Sequence, residues 1–480
     1  MKHPAQLGSR LETFIDDWII DSMDGLTQVM HHPSPQNAAL IFDAPWEGNT
    51  SGYVTVFQDR NLFRMYYRGS QCDYGEGQIL DGHELTCYAE STDGITWEKP
   101  SLGLVEFNGS KDNNIIWDGP GDHNFAPFKD TNPDCKPEHL YKALAGQKEG
   151  LRAFQSPDGI NWSMVSEHPI ITKGAFDSHN LAFWDSVRTE YREYHRDFYD
   201  GVDDLGNRNG RDIMTAASKD FYCWPDPEWL NYSPGWVGQL YTNQIIPYYR
   251  APHIYLGFPT RYTDRGWKES TRLLPQLDYR RIRASKSERE GTAVTDGMLM
   301  SSRDGKNFNI WPEAFLRPGL KLTGNWFYGD NYQNHGLIQT KSTIQGAAEE
   351  ISIFSTEASH QSKHTSRLRR HTIRIDGFVS IQAKLSGGEF FTRPLIFDGN
   401  KLTINFSGSA ASTVKVELQT LSGYTIPEFS LDRCNEIFGD DLERVVSWYS
   451  DGDLSRLSGD PVRLRFQLKD ADLYSFQFQR

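Results

Sequence analysis

The chain has 480 residues, is 38% hydrophobic and 13% aromatic, and carries 13 Trp, 22 Tyr, 27 Phe and 41 Gly, a composition that suits many short strands and turns better than long helices. Its net charge of −14 disfavours binding to nucleic acid or an anionic membrane surface, which needs a dense basic face. The five cysteines, Cys72, Cys87, Cys135, Cys223 and Cys434, are widely spaced and odd in number, so neither a structural zinc site nor a disulfide framework is indicated.

The N-terminus, MKHPAQLGSRLETFIDDWIID, has no apolar core, and no run approaches 18 apolar residues, so neither a signal peptide nor a membrane span is expected. The compartment stays open. From residue 91 a pattern recurs: STDGITW (91–97), SPDGINW (156–162), SKDFYCW (218–224) and SRDGKNF (302–308). Each copy ends an alternating run, ELTCYAES, LRAFQS, DIMTAAS and GMLMSS, and reads as a hairpin in which Asp caps the turn and the aromatic packs the next strand. Asp93, Asp158, Asp220 and Asp304 are therefore structural.

Successive Ser positions lie 65, 62 and 84 residues apart, a period that predicts propeller blades of four strands. Blade one takes GYVTVF, LFRMYYRG, ELTCYAES and ITWEKP. Blade two takes HNFAPFKD, LYKALAGQ, LRAFQS and INWSMV, and blade three SHNLAFWD, EYREYHRD, DIMTAAS and a strand through Trp224. Blade four, about 240–312, holds a charged insertion from RYTDRGWKES to KSEREG. Blade five runs from YQNHGLIQT through EEISIFSTEA, with FSTEA a degenerate fifth copy, and FIDDWIID is the expected ring closure. Beyond about residue 376 the turn vanishes. Long alternating strands, TVKVELQT, PVRLRFQLKD and LYSFQFQR, read as an antiparallel β-sandwich. The expected organisation is all-β, a five-bladed propeller over 1–375 and a sandwich over 376–480.

On these hairpins and this domain order the chain resembles the glycoside hydrolase superfamily that includes families 32 and 43, whose members cleave fructosides, arabinosides, xylosides and related sugars. The resemblance implies a glycosidase whose carboxylates, from different blades, meet at the propeller axis. One must protonate the leaving oxygen and another act as base or nucleophile. Asp130 in FKDTNP resembles the family's R-D-P or D-P segment, with Lys129 in place of Arg and Thr131 and Asn132 before Pro133, and would be the ionised stabiliser. Asp177 in AFDSHN stands where the family has Glu as acid. The family's nucleophile segment is missing, and Glu47 in PWEGNTSGY is the candidate base or nucleophile.

His179, Asn180, Arg196, Trp326, Tyr328, Asp330 and His335 are the candidate substrate-binding residues: aromatic faces suit sugar rings, and Arg pairing keeps a carboxylate ionised. His123, His179, His195 and His335 lack close metal-ligand spacing. No cofactor is expected. An axial ion such as Ca²⁺, held by ligands from several blades, stays open, as does the oligomeric state. An oligosaccharide or polysaccharide, attacked from a chain end, is the expected partner, with neither nucleic acid nor membrane. A carbohydrate-binding propeller without turnover is the alternative. A WD-type scaffold fits less well, since the Gly-His and Trp-Asp signatures are missing.

Overall fold

The structure, a computed structural model, describes residues 3–75, 77–201, 210–361, 366–449 and 452–480. It is all-β apart from short helical segments. No helix among the described residues is long and apolar enough to cross a membrane.

Five sheets follow one another along the chain, antiparallel except where Asn231–Tyr232 pairs in parallel with Asn307–Ile310 in the fourth. The first is built from Gly52–Asp59, Leu62–Gly69, Leu85–Ser91 and Ile115–Trp117. The second uses Ala126–Lys129, Tyr141–Gln147, Gly150–Ser156 and Ser163–Met164. Leu181–Asp185, Glu190–Tyr199, Gly210–Ser218 and Glu228–Trp229 make the third. Ile246–Tyr248, Ala251–Gly257, Met300–Ser302 and Asn307–Ile310 belong to the fourth, which is extended beside Gln239–Leu240, Thr260–Asp264 and Ala293–Gly297. Two expected outer strands move: ITWEKP gives only the Glu90–Glu98 bridge, its place taken by Ile115–Trp117, and the third sheet's outer strand lies beyond Trp224.

Each repeated turn closes by the same local bonds. Gly94 N–H donates to Ser91 Oγ at 2.8 Å, and Ile95 and Thr96 N–H donate to Asp93 Oδ1 at 2.7 and 2.8 Å. The copies at Asp158, Asp220 and Asp304 repeat this. Gly supplies the left-handed φ in three copies, but Phe221 adopts φ 71° in SKDFYCW. FSTEA is no fifth turn, because Phe354 to Glu357 lie inside the strand Glu350–Glu357.

The fifth sheet corrects the expected ring closure. Its strands Tyr332–Gln333, Ile338–Thr340, Glu350–Glu357 and Arg367–Arg374 are completed by Ser34–Ile41, with Leu40 opposite Leu368. FIDDWIID adds no strand to this sheet: its Ile15 only packs in one core with Ile351, Ile353 and Ile373, and its end enters the strand Ile20–Asp24, which pairs with Gly388–Thr392. On the inner side Thr55 bridges His335 in parallel, and Val56 N–H donates to His335 O at 2.8 Å, so the fifth sheet returns to the first. Gly336 permits that approach: it has φ 116°, and a Cβ there would meet Val56 O at 1.8 Å.

The expected boundary at 375 also fails at the N-terminus. Ala5–Gly8, Glu12–Thr13, Ile20–Asp24 and Leu26–Met30 join a ten-stranded sheet with the C-terminal strands. Ala5–Gly8 pairs in parallel with Leu395–Phe397, so that sheet is not wholly antiparallel. PVRLRFQLKD and LYSFQFQR are one strand, Pro461–Gln479, paired along Lys401–Thr420 with register shifts. Phe14 and Ile19 complete its core among Phe390, Phe466 and Phe476, each such burial being worth about 1.5–3 kcal/mol. Apolar spacing marks Phe14 as a core residue but not which of two sheets it enters.

Candidate functional site

The first strands of the five sheets begin at one end of the ring, and a cavity of about 500 Å³ opens there. Its wall draws on every sheet: Tyr53 starts Gly52–Asp59, Asp122 and His123 precede Ala126–Lys129, and Asp177 precedes Leu181–Asp185. Tyr241 follows Gln239–Leu240, and Tyr328 precedes Tyr332–Gln333. Arg68 comes from the second strand of the first sheet, Glu84 immediately precedes the third, and Tyr74 comes from the hairpin Cys72–Gly75 and Gln78–Asp81.

Two carboxyls stand in opposite surroundings. Asp177 has a side chain 63% exposed and is ion-paired with Arg196, a partner that favours the charged carboxylate. Asp122 is half-buried, and burial, reinforced by the negative charge of Glu84, pushes its carboxyl up to about 6. Glu84 is bound by His123 Nδ1 at 2.8 Å and by Arg68 at 3.2 Å. Burial raises it, but these two partners outweigh burial and leave it below its ordinary value. Arg68 also donates to Thr50 O at 2.7 Å, with its guanidinium 4.8 Å from the Tyr53 ring centroid.

The opposite wall is phenolic. Tyr241 lies 5.3 Å from Tyr332 and 5.7 Å from Tyr328, ring centroid to centroid. Tyr53 is held at φ 50°, a left-handed conformation that costs a bulky residue about 1–2 kcal/mol and that clusters at functional sites.

Of the candidates read from the sequence, the structure brings Asp177 and Tyr328 to the cavity, with Arg196 behind Asp177. Asp130 is not there. It sits past the far end of its strand, fully buried, bound by Lys142, by Tyr191 Oη at 2.7 Å and by Asn132 N–H at 2.9 Å. Glu47 is likewise consumed by structure: Tyr67 Oη and Lys99 Nζ donate to it at 2.6 Å and Ala44 N–H at 2.9 Å. His179, Asn180 and His335 are buried outside the cavity wall; His179 bonds Thr55 Oγ1 and Gln244, and Asn180 caps Phe176 O and Ser178 O. Burial lowers His335 to about 4. Trp326 turns away, its indole donating to Gly319 O at 3.1 Å. Asp330 accepts from Phe327 and Ser359 N–H at 3.1 and 3.0 Å, and burial lifts it to about 7.

Sequence reasoning passed over Tyr53, Arg68, Glu84, Asp122 and Tyr241. One signal was within reach: Asp122-His123 precedes its first strand as Asp177 precedes its own. Among the described residues, no cluster of three or more His, Cys, Asp or Glu is arranged to hold a metal ion.

No family model matches the chain. Two uncharacterized proteins of Mycobacterium tuberculosis are 29% identical over 139 residues, 29% of this chain and 40% of each of them. The chain thus spans less than half the length of these curated relatives. Among solved structures, one described as a glycoside hydrolase is 15% identical, with a TM-score of 0.44 over 72% of this chain and 92% of its own. An N-acetylgalactosamine deacetylase from F. plautii is 12% identical, with a TM-score of 0.43 over 73% and 96%. The catalytic domain of a Coprinopsis cinerea GH62 alpha-L-arabinofuranosidase is 10% identical, with a TM-score of 0.41 over 72% and 97%.

Proposed function

We propose that the chain is a glycosidase that hydrolyses an oligosaccharide or polysaccharide from a chain end, in the cavity at the strand starts, without a cofactor. In this reading the five sheets are the blades of a family 32/43-like propeller and the ten-stranded sheet is its accompanying sandwich. The observation that carries the reading is the pairing, in one cavity, of Asp122, whose carboxyl burial and Glu84 push up to about 6, with Asp177, ion-paired to Arg196.

Such a pair divides the labour of glycoside cleavage. Asp122 donates its proton to the glycosidic oxygen as the bond to the anomeric carbon breaks. Asp177 works on the other side of that carbon, either taking a proton from the attacking water or bonding to the carbon until water displaces it. Arg196 keeps Asp177 ionised throughout. Tyr53, Tyr328 and Tyr332 offer faces for the apolar sides of sugar rings. Glu47 and Asp130 have structural roles and take no part.

The test is sugar release from a broad panel of oligosaccharides and polysaccharides by the native protein, Asp122→Asn and Asp177→Asn. Both variants should fold and lose roughly 10²–10⁴-fold in kcat. Full activity in either removes that residue from the mechanism. Should no glycan be cleaved while one binds all three proteins equally, the chain is a carbohydrate-binding protein.

A further inference from the structure

A second cavity, of about 490 Å³, stands back to back with the one at the strand starts. The two share a wall: Tyr328, Gly329, Ser359 and His360 face the first cavity, and the adjoining Asp330, Asn331, Glu357 and Ala358 face the second. One side of the second cavity is the surface of the fifth sheet. Glu357 pairs opposite Arg367, and Arg369 and His371 follow Arg367 at alternate positions of Arg367–Arg374, so all four stand on one face. The other side is the connection from the fourth sheet to the fifth, where Leu320 is 82% and Leu322 63% exposed. Two exposed leucines lining one cavity are apolar surface without a protein partner.

The charges around this cavity do not balance. Arg369 is fully engaged, donating to both oxygens of Glu357 at 2.9 Å and to Gln36 O at 2.7 Å. Arg367 gives Glu357 only its Nε, at 2.8 Å. Arg317, exposed on the connection, has no acidic partner among the described residues. Asp330 cannot serve it, because two backbone N–H groups already hold that carboxyl. Two lining side chains more than nine-tenths buried also keep a nitrogen without a hydrogen-bond partner among the described residues, Asn331 at Nδ2 and His371 at Nδ1. Buried polar atoms are normally paired, so both point to a ligand group.

We infer that the second cavity binds a small molecule carrying one carboxylate on an apolar body. Arg317 and Arg367 supply free N–H groups, whose fork suits the two oxygens of a carboxylate. Leu320 and Leu322 are covered by the body, and the area that they withdraw from water drives binding. Glu357, in the same wall, disfavours a doubly charged group such as phosphate. The site is independent of whether the first cavity cleaves glycosides.

Isothermal titration calorimetry on the full chain, with 2-naphthoate, octanoate and the neutral 2-naphthalenemethanol as probes, tests this. At least one acid should bind one-to-one with a Kd of about 1 mM or tighter, and the tighter acid shows whether the body is a ring system or a chain. The alcohol should bind roughly 10-fold more weakly than its acid. Arg317→Gln, an exposed change that breaks no ion pair, should weaken the acid roughly 10-fold and leave the alcohol unmoved. Leu322→Ser should weaken both alike. Absence of binding by either acid overturns the inference. So does an alcohol that binds as tightly as its acid, or inorganic phosphate that does. An acid affinity unchanged in both Arg317→Gln and Arg367→Gln places the ligand elsewhere and overturns it too.

Discussion

Asp122 and Asp130 flank the same strand, and their environments assign them opposite roles. Asp130 is neutralised by a buried Lys142 and ends as structure, whereas Asp122 meets burial and Glu84 and is pushed up to about 6. A general acid must be protonated, so kcat/KM should fall as pH rises through about 6. In Glu84→Gln the neighbouring charge is gone, the carboxyl ionises earlier, and this falling limb should move to lower pH. A pH–rate profile with the limb unmoved would show that another group titrates. At Phe221 a bulky side chain occupies the turn position that Gly holds in the other copies. Its ring, fully buried, packs between Phe128 and Tyr191 at 5.6 and 5.4 Å. Losing a buried Phe costs about 3–5 kcal/mol, and relief of the left-handed strain returns about 1–2 kcal/mol. Phe221→Gly should therefore destabilise in denaturant unfolding, and a stabilised variant would contradict this balance.

Hairpins were legible because their bonds are local: the Ser and Asp side chains satisfy N–H groups two and three residues away, so the seven-residue pattern contains its own cause. Strand partners of long separation were not. FIDDWIID carries the more apolar pattern near the N-terminus, and only pairing with Arg367–Arg374 identifies Ser34–Ile41 as the closing strand. The charged insertion of the fourth sheet forms Leu277–Lys286, which supports the cavity's hairpin: Gly77 N–H donates to Ser285 Oγ at 2.7 Å, and Arg283 lies 5.0 Å from the Tyr74 ring centroid. Closure between the first and fifth sheets depends on Gly336. Gly336→Ala should destabilise by at least about 1–3 kcal/mol, the cost of overpacking a close contact, as read from the denaturant midpoint. An unchanged midpoint would mean that the inner contact does not hold the ring.

Across the molecule, the N-terminal strands tie the ten-stranded sheet to the five-sheet ring through buried charge. Glu12, paired in that sheet, is fully buried and bound by Arg303 at 3.1 Å and His253 at 3.0 Å, and Arg303 also grips Asp16 at 2.7 Å. Burial raises Glu12, but His253 and Arg303 outweigh it and its carboxyl lies below the ordinary value. A depressed carboxylate contributes stability above its unfolded value and loses it as pH falls through the folded one. Arg303→Ala leaves the buried charge with one partner fewer, a loss of about 3–5 kcal/mol, and should move the onset of acid destabilisation to higher pH. Thermal melts of native and variant across acidic pH would show this, and parallel curves would exclude Glu12 as the link.

The sequence by itself determined the all-β class and the four capped turns, because each rests on periodicity or on bonds within a few residues. Tertiary structure alone decided which end of each first strand opens into the cavity, which N-terminal strand closes the ring, and that Tyr53, Arg68, Asp122 and Tyr241 meet. The physical reason is that a strand's alternation is the same read from either end, and an isolated loop tyrosine leaves no periodic trace. Their meeting is fixed by closure of five sheets, a condition that no local window contains.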